Sequence, residues 1–187
     1  MESIVYVHEF ARYGLKSYIL IATWDSLNKC YAFTINRLKD GHLRRSVTVP
    51  FEVMTVMLNR INHVMDSLRQ HRAWLSRMAL DPLAGKFYEL FCIPVYVHGA
   101  HKWSVSVRLR VSDHRVYIGL HEMELHTDGA PKAMYLHNEA FFHFIDSLDQ
   151  ATTEVANHHG THRPIGGGAF SLDLFEHSVS AALGHDA

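Results

Sequence analysis

The chain has 187 residues, 48% of them hydrophobic, and its 18 Lys and Arg against 19 Asp and Glu give a formal charge of −1. This composition excludes an intrinsically disordered chain and is sufficient for one sizeable core or two small ones. With a net charge near zero, the chain lacks the strong overall basicity of many nucleic-acid-binding proteins. The 16 histidines gain charge just below neutral pH, so the sign of the net charge depends on pH.

Apolar runs and cysteines bear on localisation. No run approaches the roughly 18 consecutive apolar residues that a membrane span needs, and the first residues, MESIVYVHEFARYG, have no basic stretch ahead of an apolar one. We therefore expect a cytoplasmic protein that does not associate with membranes. Cys30 and Cys92 lie in apolar strand-like runs without the paired spacing of a metal or redox motif, so we expect both to be buried free thiols.

In chain order, the first half predicts four strands and a helix. The strand-like segments cover residues 4–10, 16–24, 30–38 and 43–49. Asp40-Gly41 is a strong turn signal ahead of the fourth strand. After Pro50, apolar residues recur at steps of three and four from Met54 to Leu68, the spacing of one buried helical stripe. We expect helical character to continue to about Leu80.

The second half predicts the same order of elements. Residues 81–85, DPLAG, break the helix. The strand-like segments that follow cover residues 91–97, the two arms of a hairpin within 102–125, and 132–137. Asp128-Gly129 marks a turn before the last of these strands. A helix begins near Asn138, a good N-cap residue, and runs to about Val155.

An offset of 87 residues superimposes the two halves. It aligns Glu52 with Glu139, both in a first helical turn, where a carboxylate favours the helix dipole. Apolar positions of the two helices also coincide, although few residues are identical. We therefore predict an α+β fold of two ββββα repeats, residues 1–80 and 86–157, within one compact domain. Chance repetition of hairpins and helices is the alternative.

The clearest period-two pattern is the hairpin from Lys102 to Leu125, with a turn at residues 112–114. Alternation places on its core face Trp103, Val105, Val107, Leu109, Val111, Val116, Ile118 and Leu120. The opposite side, here called the outer face, holds Lys102, Ser104, Ser106, Arg108, Arg110, Arg115, Tyr117, Gly119 and His121. Cations beside an aromatic ring are typical of a platform for single-stranded nucleic acid. A solvated sheet face without a ligand is the alternative.

The first half offers two further candidate binding residues. Tyr31 and Arg37 share one face of the third strand with Phe33 and Ile35. The neighbouring strand aligns on that face Tyr18, Leu20, Ala22 and Trp24. Because apolar residues accompany the rings, this face fits a buried core as well as a binding surface. The candidate nucleic-acid-binding residues are Lys102, Arg108, Arg110, Arg115, Tyr117, Arg37 and Tyr31.

Residues 158–187 differ in composition from the rest of the chain. The segment NHHGTHRPIGGG, from residue 157, predicts a flexible linker, and residues 169–183 predict a short amphipathic helix. This tail can dock on its own domain or on a protein partner. His158, His159 and His162 are candidate metal ligands, but no cysteine or HExxH helix accompanies them. We predict no metal and no cofactor.

The repeated order of elements resembles the Whirly and Pur-alpha-like group of single-strand nucleic-acid-binding proteins, whose unit is four antiparallel strands followed by a helix. The resemblance covers residues 4–155 and is carried by the Asp40-Gly41 and Asp128-Gly129 turns, the short fourth strands and the helices after them. A Whirly-type lysine-rich strand is not present. The resemblance implies two repeats packed as a pseudo-dimer, each helix covering the partner sheet, with the outer sheet surfaces binding the strand.

These observations lead us to expect a non-enzymatic protein that binds single-stranded DNA or RNA with little sequence specificity. GxGxxG, P-loop and GxSxG motifs are absent from the sequence. The alternative is a non-enzymatic protein-interaction module, such as a regulator or inhibitor from a phage or mobile element. In that case the same sheet face meets an acidic protein surface, which fits the near-neutral charge better. Either function is compatible with an oligomer.

Overall fold

The computed structural model describes residues 2–70, 87–113, 115–125, 129 and 131–161. Three expectations lie outside these residues: the extension of the first helix to Leu80, the break at residues 81–85 and the amphipathic tail from residue 169. The Asp128-Gly129 turn is covered only at Gly129. Within the described residues, no helix has both the length and the apolar character to cross a bilayer.

The first half forms a four-stranded antiparallel sheet and a helix. Its elements are β1 (Glu2–Tyr13), β2 (Lys16–Asp25), β3 (Cys30–Lys39), β4 (His42–Pro50) and α1 (Phe51–Gln70), and the strands lie in chain order across the sheet. The predicted turn between β3 and β4 is present, with positive φ angles of 55° at Asp40 and 76° at Gly41. A tight hairpin needs this left-handed backbone, which glycine adopts without strain and aspartate tolerates.

The second half forms a second sheet and helix with the same topology. Its elements are β5 (Phe87–His98), β6 (His101–Arg110), β7 (Val116–Glu124), β8 (Lys132–His137) and α2 (Asn138–Thr161), again antiparallel and in chain order. The helices begin at Phe51 and Asn138, and each carries its acidic residue, Glu52 or Glu139, in the first turn. The prediction of an α+β fold with two ββββα repeats is confirmed.

The main core lies between the sheets and the helices. One cluster of buried residues contains side chains from both halves, among them Leu20, Phe33, Ile35, Met54, Met57, Ile118, Leu120, Leu136, Phe144 and Leu148. Burying a side chain of this size contributes about 1.5–3 kcal/mol, so we expect each half to depend on the other for much of its stability. Helix α2 packs chiefly on β1 and β2, where the rings of Phe10 and Phe144 lie 5.6 Å apart.

Hydrogen bonds also join the two sheets directly. The indole Nε1 of Trp103 donates to the carbonyl of Thr48 at 3.0 Å, and the backbone N–H of Thr48 donates to a carboxylate oxygen of Glu122, also at 3.0 Å. Strand β4 therefore lies against the second sheet, next to β7 and β8. A symmetric pseudo-dimer, with the two repeats related by a two-fold axis, stays a prediction.

Two sequence-based expectations differ from the structure. Helix α2 continues to Thr161, beyond the predicted end near Val155, because His158 packs on the first sheet and shares a 2.9 Å hydrogen bond with the hydroxyl of Tyr31. Residues 158–161 are thus helical, while the rest of the predicted linker lies outside the described residues. The thiol of Cys92 is exposed rather than buried, because its strand is at the edge of the sheet; Cys30 is partly buried.

Candidate nucleic-acid interface

The hairpin of β6 and β7 has the predicted division into two faces. Val107 pairs with Ile118, and Arg108 pairs with Tyr117, so each pair points to one side of the sheet. The core face is buried at Trp103, Val105, Val107, Leu109, Ile118 and Leu120. The outer face leaves Arg108, Arg110 and Tyr117 partly exposed and Arg115 exposed. The sequence therefore predicted which side of this hairpin is accessible.

Arg108 lies at the centre of the outer face. Its Nε and Nη2 atoms donate to one carboxylate oxygen of Glu89 on β5, at 3.1 and 2.9 Å. Its guanidinium carbon lies 4.7 Å from the centre of the Tyr135 ring on β8, a distance typical of a cation–π contact. The structure thus holds one cation between a carboxylate and an aromatic ring.

Arg110 and Arg115 meet at the turn between β6 and β7. Arg110 donates to both carboxylate oxygens of Asp113, and Arg115 Nε lies 3.3 Å from the same carboxylate. The Arg110 hydrogen bonds, supported by the positive charge of Arg115, lower the pKa of Asp113 to about 2. The Arg110 guanidinium lies 5.5 Å from the centre of the Tyr117 ring. This is the second arginine and tyrosine stack on the outer face.

A close-packed patch lies beside these stacks, around Gly119. A Cβ atom at this glycine would lie 2.4 Å from Ser106 Oγ and 2.6 Å from a carbon of the Tyr135 ring. Only glycine therefore fits beneath these side chains. Ser106 Oγ and His121 Nε2 share a 2.7 Å hydrogen bond. Burial, together with the nearby charge of Arg108, lowers the pKa of His121 below 6.5, so the ring is neutral at pH 7.

The Ser106–His121 pair has the spacing of a nucleophile and a base, but its burial argues against that role. The Ser106 side chain has no exposed surface, since Gly119 lies opposite it on β7 and the Tyr135 ring lies close by. A catalytic hydroxyl must reach its substrate. We therefore interpret this hydrogen bond as structural. It holds in place the close-packed layer of Ser106, Gly119 and His121, here called the floor of the outer face.

The other three candidate residues, Lys102, Tyr31 and Arg37, lie apart from the arginines of the outer face. Lys102 is on the outer face, between Val97 and Met123 on the adjacent strands, but at about 3.3 Å per residue it lies roughly 20 Å from Arg108. Tyr31 is a core residue, 3% exposed, which corrects its assignment as a binding residue. Burial raises its pKa to about 12. The alternative of a buried face is therefore the correct one for Tyr31.

Arg37 is also on the core side of the first sheet, but at the end of that sheet and only half-buried. It pairs across the strands with Tyr18 on β2 and Arg45 on β4. Arg37 thus lies on the inner side of the first sheet and not on an exposed sheet face. Its assignment to an exposed sheet face is corrected, and its surroundings are described below.

Sequence reasoning missed four residues of this surface. Tyr135 and His137 on β8 pair with Gly119 and Tyr117, and the alternation in KAMYLH could have placed both rings on the outer face. There was less indication in the sequence that Glu89 and Asp113 would form ion pairs with the arginines of the outer face. Asp113 was visible as a turn residue three positions from Arg110, whereas Glu89 reaches Arg108 only because of the register of β5 on β6.

The described residues contain no group of three or more His, Cys, Asp or Glu side chains arranged to hold a metal ion. His158 and His159, two of the candidate ligands, instead place their rings about 6 Å from that of Tyr31, at 5.8 and 6.1 Å. His162 lies outside the described residues. Comparison with known proteins finds neither a family model nor a curated sequence that matches this chain.

Proposed function

We propose that this protein binds single-stranded DNA or RNA, with little sequence preference, on the outer face of the second sheet. The observation that carries the proposal is the pair of arginine and tyrosine stacks, Arg108 on Tyr135 and Arg110 on Tyr117, on a sheet whose other face is buried. A base can stack on such a ring while the adjacent guanidinium contacts its phosphate. The ββββα order shared with the Whirly and Pur-alpha-like group supports the same function.

The carboxylates on this face do not oppose the proposal. The Arg108 and Glu89 side chains keep 32% and 45% of their surface exposed, and such ion pairs contribute about 0–1 kcal/mol. A backbone phosphate can therefore replace Glu89 or Asp113 as the partner of an arginine at little cost. The carboxylates hold the guanidiniums in place before binding. Because the pairs neutralise each other, the proposal also fits the net charge of −1.

Substitutions on the outer face test the proposal. Replacing Arg108 and Arg110 by Glu should weaken binding to all oligonucleotide sequences and lower its salt dependence, since each lost phosphate contact removes about 0.7 from the slope of log K against log salt. Arg60→Glu, on an exposed position of α1, is the control for the charge change of each single substitution. Equal binding by Arg108→Glu and Arg60→Glu would count against the outer face as the site.

A second substitution tests base stacking separately from charge. Tyr117→Ala should cost roughly 1–3 kcal/mol of binding free energy if a base stacks on this ring, and it should leave the salt slope almost unchanged. Tyr88→Ala is the matched control, because Tyr88 pairs with Leu109 and so points away from the outer face. If both tyrosine variants bind like the wild type, no base stacks on Tyr117.

The edge strand β5 favours the second candidate function, a protein-interaction module. In the described sheet it pairs only with β6, and along it Phe91 and Val97 are 43% and 56% exposed. An apolar edge strand can accept a strand from another protein. Phe91→Lys should then abolish capture of that partner without changing oligonucleotide binding. We further propose a cytoplasmic location, supported by the lack of a membrane-spanning helix among the described residues.

A further inference from the structure

A row of five rings crosses from the first sheet to the second. It starts in the first sheet and ends on β5, and the ring row consists of Tyr18, Tyr13, His137, Tyr117 and Phe87. Successive ring centres are 6.4, 4.6, 6.2 and 5.3 Å apart. The closest pair joins the two sheets, because Tyr13 is the last residue of β1 and His137 the last of β8. The ring row therefore links the outer face to the first sheet, where Tyr13 is partly buried and Tyr18 is 7% exposed.

Arginines lie at both ends of the ring row. Arg110 stacks on Tyr117, as described above, and Arg37 lies beside Tyr18 in a cross-strand row that ends with Arg45. Arg37 and Arg45 form no ion pair with the described residues, unlike the arginines of the outer face. At the same end of the first sheet are the cations Lys16, Lys39 and Arg44 and the acid Asp40 of the turn, and the carboxylate of Glu139 lies close to Tyr13.

Two polar atoms in this region lack hydrogen-bond partners. The Nε atom of Arg37 and the hydroxyl of Tyr13 are both buried, and neither has a partner among the described residues. A buried donor that makes no hydrogen bond costs about 1–3 kcal/mol, so such groups usually serve a ligand or water. Glu139 is the acid close enough to affect Tyr13, whose pKa is raised by burial and then by that carboxylate.

We propose that the junction of the two sheets is a phosphate-binding site, in which Arg37, Arg45 and the Tyr13 hydroxyl hold a backbone phosphate of the bound strand. This inference rests on the proposed function. A strand lying on the outer face can pass Tyr117 and His137, which are partly exposed, and reach the junction with a phosphate towards the guanidiniums of Arg37 and Arg45. Arginine suits this role because its planar fork of donors matches the oxygens of a phosphate.

The test compares Arg37→Gln, Arg45→Gln and the double variant with Arg60→Gln, which removes the same charge from an exposed site on α1. Binding of a labelled single-stranded oligonucleotide is measured at several salt concentrations. We expect each junction variant to reduce the salt slope by about 0.7 and the double variant to reduce it by about twice that, whereas Arg60→Gln leaves it near the wild-type value. Arg37 is half-buried, so if Arg37→Gln does not fold, the exposed Arg45→Gln decides the outcome.

The failures of this inference and of the proposed function are distinguishable. If the wild type binds the oligonucleotide and the junction variants keep its salt slope, the phosphate site is refuted and the outer face still stands as the interface. If the wild type does not bind at low salt, both are refuted. Inorganic phosphate that raises the melting temperature of the wild type but not of the double variant, while the salt slopes stay equal, would refute a backbone phosphate in favour of a small one.

Discussion

Neutralising the two carboxylates of the outer face should convert it into a stronger nucleic-acid-binding surface. Glu89→Gln removes the partner of Arg108, and Asp113→Asn removes the shared partner of Arg110 and Arg115. Three guanidiniums then lose their competing anions. The low pKa of Asp113, about 2, ensures that its carboxylate is ionised in the wild type at any ordinary assay pH, so the substitution removes a full negative charge.

The strength of these ion pairs determines how much the double variant should change in stability and in binding. Exposed pairs of this kind contribute about 0–1 kcal/mol each, so the double variant should stay folded. The amide oxygen that replaces the Asp113 carboxylate can still accept the hydrogen bond that the backbone N–H of Arg115 donates in the turn, 3.2 Å long in the wild type. In the bound wild type the arginines already contact phosphates in place of these carboxylates, so the slope of log K against log salt should stay near its wild-type value. The affinity should rise by up to about fivefold for each ion pair that binding no longer has to break.

Fluorescence anisotropy with a labelled single-stranded oligonucleotide, between about 50 and 200 mM salt, measures this slope. The control variant carries Asp149→Asn and Glu154→Gln, which remove the same two charges from exposed positions on α2. The affinity of the outer-face variant should exceed that of the control, while its slope stays near the wild-type value. Equal changes in the two variants would mean that only net charge matters, which would refute the reasoning about these arginines.

Three further predictions concern the floor of the outer face and the cysteines. Gly119→Ala should lower the free energy of unfolding by about 1–3 kcal/mol, because its methyl group would overlap the Tyr135 ring; chemical denaturation measures this, and an unchanged midpoint would contradict it. The folded-state pKa of His121 is lowered from 6.5, so the unfolded chain takes up a proton first, and stability is lost as pH falls below about 6.5. His121→Gln should therefore lose less stability than the wild type between about pH 7.5 and 5.5, and equal losses would show that this histidine does not contribute. Cys92, which is exposed, should react with a thiol reagent before the partly buried Cys30, whose pKa is raised by burial and nearby acids. Mass spectrometry after brief labelling measures the order, and labelling of Cys30 first would contradict this prediction.

The alternation of apolar and polar residues and the order of the predicted elements were enough to predict the hairpin and the repeat. The period-two alternation from Lys102 onwards assigned the side of each residue, and the bounds of β8, residues 132–137, agree with the structure. Alternation sorts side chains into two sets, but it does not say which set is buried. For Tyr31 the apolar neighbours Phe33 and Ile35 point to the core, where the structure places all three.

The ring row could not have been predicted, because it depends on how one sheet packs on the other. Tyr13 and His137 are far apart in sequence and meet only through the contacts of β1 and β4 with the second half of the chain. Similarly, the ion pair of Arg108 with Glu89 depends on the register of β5, which shifts at two places relative to β6. No periodicity in a single strand contains that information.

The measurement that tests the central claim most directly is a titration of the wild-type protein with a labelled single-stranded oligonucleotide at low and at moderate salt. The same sequence as a duplex and an unrelated single strand serve as comparisons. We expect both single strands to bind with similar affinity, the duplex to bind more weakly, and all binding to weaken as salt rises. Negligible binding of the single strands at low salt would contradict the claim that the outer face is a nucleic-acid interface.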